Sequence, residues 1–130
     1  MTMNIRMLLT LLFSLLISVS CAQEPNPQTA TLSPQTQAWR LIDDGALLID
    51  VRSRQEFETG HLKGAVNIPH DQLPELADKI GPDKQREVVV YCKSGRRAQL
   101  VKEALEKQGY NAVHNGIGYS SLLEVKDDKS

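Results

Sequence analysis

Glu87-Val88-Val89-Val90-Tyr91-Cys92-Lys93-Ser94-Gly95-Arg96-Arg97-Ala98 is the stretch that decides the fold. Its first half is a β-branched and aromatic run, short enough to read as a buried strand. The residues after it, through Gln108, carry Val101, Ala104 and Leu105 on one helical face and stop at Gly109. They read as an amphipathic helix. Cys92 therefore lies at a strand-to-helix junction, where a helix start offers unpaired N–H groups. Lys93, Arg96 and Arg97 add positive charge, and Gly95 gives the loop backbone freedom. All of these stabilise a thiolate or a bound anion. The duller reading, a small buried hydrophobe at a strand end, fits poorly with three cations beside it.

Outward from this junction the chain alternates helix and strand. Ser33-Pro34 supplies a helix N-cap and first-turn proline, with Ala38, Leu41 and Ile42 as the buried face before Gly45. Trp39 falls one position off that face and reads as a core or rim packing residue. Ala46 to Val51 reads as a strand, and Ser53 with Glu56 forms a capping box for a short helix ending near Gly60. Ala65 to Ile68 is the next strand, closed by Pro69. Leu73 to Ile80 is a helix stopped by Gly81-Pro82. After the Cys92 helix, Tyr110 to His114 reads as a last strand, Asn115 to Gly118 as a glycine-rich turn, and Tyr119 to Val125 as a helical turn. The pattern predicts an α/β fold, a single domain with a largely parallel central sheet flanked by helices. Sites in such sheets lie beyond the carboxyl ends of the strands, where Cys92 falls.

The N-terminal segment has a different character. Arg6 precedes an apolar stretch of 13 residues, Met7 to Val19, followed by small residues. That is the plan of a secretory signal and too short for a membrane span. Two processing routes fit. Ser20 and Ala22 suit cleavage before Gln23, whereas Ser18-Val19-Ser20-Cys21 resembles a lipobox that would place a lipid anchor on Cys21. Residues 1–22 are thus expected to be a signal, 23–32 a polar tether, 33–125 the folded domain and 126–130 a solvated tail. The location expected is outside the cytoplasm, in the periplasm, with no membrane span.

The 130 residues hold 15 Lys and Arg against 16 Asp and Glu, a net charge of −1. Loss of the signal removes only Arg6 from that balance. Nothing in it points to nucleic acid, and the positive charge that matters is local to the Cys92 loop. The chain has 2 cysteines. Because Cys21 is cut off or lipidated on either route, Cys92 is left without a partner, and an odd cysteine in an exported protein suggests a reactive thiol.

Three ordered motifs resemble the rhodanese family, in particular its small single-domain exported sulfurtransferases. They are Leu48-Ile49-Asp50-Val51-Arg52 with Glu56-Phe57 and Gly60 to Pro69; Val88 to Ala98; and Gly109-Tyr110 with Val113 and Asn115 to Tyr119. Together they span Leu41 to Leu122, and Ile117 stands where the family often has glycine. The resemblance implies transfer of a sulfane sulfur from a donor such as thiosulfate, through a persulfide on Cys92, to a thiophilic acceptor such as cyanide or a thiol. It gives Cys92 the catalytic role and makes Lys93, Ser94, Gly95, Arg96, Arg97 and Ala98 the substrate-binding loop. No general base and no cofactor are needed, because a thiolate attacks sulfur directly. The partners are then a small-molecule donor and acceptor.

Asp50 and Arg52 read as a structural ion pair and His61 as a hydrogen-bonded frame residue. His70 and His114 lack ligand spacing with any other donor, so no metal site is expected. Two other classes stay open. A cysteine phosphatase or arsenate reductase needs Cys-x5-Arg, and here Arg97 comes one position early, with Ala98 in its place. A persulfide carrier or partner-binding module without small-molecule turnover has the same sequence features as the enzyme.

Overall fold

The computed structural model describes residues 31–127. The expected signal, most of the expected tether and the last three residues of the expected tail lie outside the described residues. The elements run α1 (Pro34–Asp43), β1 (Leu47–Asp50), α2 (Arg54–Glu58), β2 (Val66–Asn67), α3 (Leu73–Ile80), β3 (Val88–Cys92), α4 (Arg96–Lys107), β4 (Val113–Gly118) and α5 (Tyr119–Asp127). The four strands form one sheet in the order β2-β1-β3-β4, and every pairing is parallel. This is the α/β architecture the alternation predicts.

β3 explains why a continuous apolar run forms the centre. Val88, Val90 and Cys92 face a core built with α3 and α4, including Leu76, Ile80, Val101 and Leu105. Val89 and Tyr91 face the opposite core, shared with Trp39, Leu62 and Leu122. A strand covered on both faces has no polar side, so alternation is absent from its sequence. Both helix starts read from the sequence carry their caps. Ser33 Oγ accepts from Thr36 N–H at 3.1 Å, and Ser53 and Glu56 close a reciprocal capping box at 3.2 and 2.9 Å.

Three local expectations need correction. On α1 the buried residues are Ala38 and Trp39, while Leu41 and Ile42 are half-buried. Trp39 is core because its indole N–H donates to Leu122 O at 2.7 Å, a partner 83 residues away. Residues 115–118 are the last four of the six residues of β4 rather than a turn, and Tyr110 precedes the strand. The register shifts between Val90↔Asn115 and Cys92↔Gly118, so the strand bulges beside the cysteine. Gly118 is glycine because a Cβ there would sit 2.5 Å from Lys93 O. Lastly, α5 extends to Asp127, so Lys126 is helical and its ammonium lies 4.8 Å from the Trp39 ring. No helix among the described residues is long and apolar enough to cross a membrane.

Candidate active site

Parallel pairing brings the carboxyl ends of β1 and β3 together, and the sequence-predicted residues collect there. Cys92 ends β3 with 1% of its surface exposed. Lys93 and Ser94 turn outward and are exposed, whereas Gly95 is buried at the N-cap of α4 with φ +91°. That left-handed backbone aims Gly95 N–H at Cys92 Sγ, 3.0 Å away. Among the described residues Gly95 is the backbone donor within hydrogen-bond distance of the sulfur. Ala98 is buried under the loop in the α4 core.

The three cations of the loop divide into two kinds. Lys93 and Arg96 are exposed and have no ion-pair partner among the described residues. Arg97 is half-buried and forms a two-pronged bridge to Glu56, at 2.7 and 2.9 Å. Its guanidinium is held above its ordinary pKa first by Glu56, and more weakly by the neighbouring Cys92 sulfur. Arg97 is thus a strut between α2 and the cysteine loop. A cleft of about 280 Å³ opens beside it, lined by Ser53, Arg54, Pro69, His70, Asp71, Gln72 and Arg97. Sequence reading gave Glu56 only a capping role, because nothing local signals a partner 41 residues on.

Glu56 is pulled down to about 2, chiefly by the Arg97 hydrogen bond and secondarily by the Ser53 cap. A depressed carboxylate stabilises the fold above the unfolded-state pKa, and that contribution is lost as pH falls through the folded value. Glu56→Gln keeps the capping box but removes the charge. Arg97 and Glu56 are 27% and 33% exposed, so solvent screens the bridge. The variant should lose about 1 kcal/mol at pH 7. Urea unfolding should show that difference shrinking below about pH 4.5 and vanishing near pH 2.

Asp50 and Arg52 form the ion pair the sequence suggests. Arg52 Nη2 meets Asp50 Oδ2 at 2.6 Å, and Arg52 N–H donates to Asp50 Oδ1 at 2.9 Å. The same guanidinium donates to Gly60 O at 2.6 Å and lies 4.7 Å from the Tyr119 ring. Burial pulls the Arg52 pKa down, but the Asp50 contacts outweigh it and hold the group above its ordinary value. Asn67 Nδ2 clamps the same turn by donating to Asp50 O and Arg52 O, at 3.0 and 2.9 Å. Burial also pushes the Tyr91 phenol well above its ordinary pKa, while its oxygen accepts from Leu62 N–H at 3.1 Å. This network ties β1 to the loop after α2 and to the Tyr91 side of the sheet.

His61 is exposed; its ring stacks on Phe57 at 3.7 Å and hydrogen-bonds Phe57 O at 2.9 Å. Its framing is confined to the end of α2. His114 pairs with Glu87 at 2.6 Å, and no His, Cys, Asp or Glu cluster among the described residues is arranged to hold a metal. Asn115 is a site residue that sequence reading missed. Its Nδ2 donates to Gly95 O at 3.1 Å, and its Oδ1 accepts from Ile117 N–H at 2.9 Å.

The chain is similar to thiosulfate sulfurtransferase PspE of Escherichia coli, with 38% identity over 78 residues, covering 60% of this chain and 75% of PspE. It is also 35% identical over 80 residues to a tRNA uridine(34) hydroxylase of Hamiltonella defensa, covering 58% of this chain but only 22% of that protein. Among solved structures, a rhodanese with anions from E. coli is 37% identical with a TM-score of 0.55, covering 58% of this chain and 89% of that one. The family model for the rhodanese-like domain matches residues 34–119. That span runs from α1 through the bulged strand and takes in both the cysteine loop and its braces, so the chain belongs to the rhodanese family.

Proposed function

We propose that this rhodanese domain is a thiosulfate sulfurtransferase working through a persulfide on Cys92. The observation that carries the reading is the Gly95 N–H held 3.0 Å from Cys92 Sγ, in a loop that also carries Lys93, Arg96 and Arg97. In the first half-reaction the Cys92 thiolate attacks the outer sulfur of thiosulfate. The new S–S bond forms as the old one breaks, and sulfite leaves with the bonding electron pair. In the second, a thiophilic nucleophile such as cyanide or a thiol attacks the terminal sulfur and returns the electron pair to Cys92. No proton has to move at sulfur in either step, which suits a thiol that, among the described residues, is hydrogen-bonded by a backbone N–H and not by a histidine. Similarity to PspE and to a solved structure of a rhodanese with anions supports the donor class.

Intact mass after thiosulfate treatment tests the reading directly. Uptake of one sulfur adds about 32 Da as a persulfide, and cyanide should remove it. A mass unchanged by thiosulfate overturns the reading. The hydroxylase relatives, in which the matched part is 22% to 24% of the protein, favour a second reading as a sulfur-carrying or partner-binding module. Loading without turnover to cyanide or small thiols would select it.

Donor choice follows from Lys93 and Arg96, the loop cations without an ion-pair partner among the described residues. Thiosulfate carries two charges on a compact head, so Lys93 and Arg96 should help it more than they help a monoanionic keto acid such as 3-mercaptopyruvate. Arg96→Gln should raise the KM for thiosulfate by about three- to tenfold at low salt, and by less once salt screens the exposed loop. Arg97→Gln acts differently, because it also releases Glu56. A wild type that prefers 3-mercaptopyruvate contradicts this electrostatic account but not the sulfur chemistry. We also propose export, with processing before Gln23 or lipidation of Cys21. The N-terminal mass of protein recovered from its host checks it, and an intact Met1 terminus in the cytosol overturns it.

A further inference from the structure

We propose that Asn115 is a positioning residue for Cys92, acting through Gly95; this rests on the sulfurtransferase reading of the loop. The donor to the sulfur is the N–H of a glycine, the residue least able to hold its own φ and ψ. Something outside the loop must fix it. Gly95 O accepts from Gln99 N–H at 2.9 Å as the ordinary helix bond and from Asn115 Nδ2 at 3.1 Å as a second, lateral one. These fix one side of the Gly95 Cα, while the N–H on the other side points at Sγ.

Asn115 is itself anchored. It stands opposite Val90 in the β3–β4 ladder, just before the register shift. Its Oδ1 holds the N–H of Ile117, a β-branched residue at φ +75°. Such a conformation is costly and persists only where the surroundings impose it. Here it presses Ile117 onto the loop: a Cβ added to Gly95 would lie 3.1 Å from Ile117 Cγ2. The other end of the loop is seated as well, with Lys93 O against Gly118. The bulged end of β4 is therefore the mould in which the loop takes its curvature, and Asn115 is its polar contact with the residue that meets the sulfur.

The test compares the full chain with Asn115→Ala and Asn115→Asp. Asn115→Asp keeps the acceptor for Ile117 N–H but cannot donate to Gly95 O. Both variants should keep the KM for thiosulfate within about twofold while kcat falls about tenfold. Alkylation of Cys92 by iodoacetamide at pH 7 should slow about threefold, since a worse-aimed N–H supports less thiolate. A folded Asn115→Ala with wild-type kcat and alkylation rate overturns the proposal. So does an Asn115→Asp that restores both, because the Ile117 link alone would then suffice. If Asn115→Ala does not fold, Asn115→Asp carries the same reading. Alkylation needs no sulfur donor. Slower alkylation in the variants of a protein whose wild type takes up no sulfur would sink the proposed function and leave Asn115 in its positioning role.

Discussion

Cys92→Ser is expected to abolish sulfur uptake and turnover while the domain stays folded. A serine hydroxyl is neither ionised near neutral pH nor soft enough to displace sulfite from a sulfane sulfur, and the loop offers no base to activate it. The loss should reach background in a thiosulfate–cyanide assay, and the mass gain after thiosulfate should disappear. Stability should change by only about 1–2 kcal/mol, because the buried hydroxyl inherits the Gly95 N–H as a partner and is left with one polar group to satisfy. Near-normal melting with zero uptake is the expected result. Retained turnover in Cys92→Ser would move the chemistry off this loop altogether.

The largest stability effect is expected at the other end of the frame. Asp50 is fully buried, and its carboxylate faces Arg52, which is 5% exposed. Asp50→Ala leaves that guanidinium inside the protein with Gly60 O as its remaining polar acceptor. Removing one partner of a buried ion pair costs about 3–5 kcal/mol, far more than loss of a surface bridge. For a domain of this size that lowers Tm by more than about 10 °C. Urea unfolding of Asp50→Ala, alone and combined with Arg52→Met, checks the cause. If the unpaired charge is the problem, the double variant recovers part of the loss. A double variant weaker by the full sum of two independent costs would point instead to lost packing around Gly60 and Asn67.

The features legible in the chain are the local ones. The apolar run of β3, the helix N-caps, and the placement of Cys92 at a strand end all depend on residues within one or two helical turns of each other. Periodicity and cap chemistry report such relations directly. The short spacing of Asp50 and Arg52 made their pairing readable for the same reason.

Tertiary structure decided the rest, through contacts that no local pattern carries. Arg97 reads as a free cation beside the cysteine until Glu56, 41 residues earlier, closes on it. Asn115-Gly116-Ile117-Gly118 has the composition of a turn, yet parallel pairing with β3 draws it out as a bulged strand under the loop. Trp39 lies off its helix's apolar face but is buried because α5 comes back to receive its N–H. Composition and spacing thus singled out Cys92 as the candidate nucleophile and placed it at the end of a strand. Which groups contact its loop, and which loop cations lack an ion-pair partner among the described residues, emerged only when the sheet brought distant segments together. A side chain's partner is set by proximity in space, and the sequence encodes that proximity only through the whole fold.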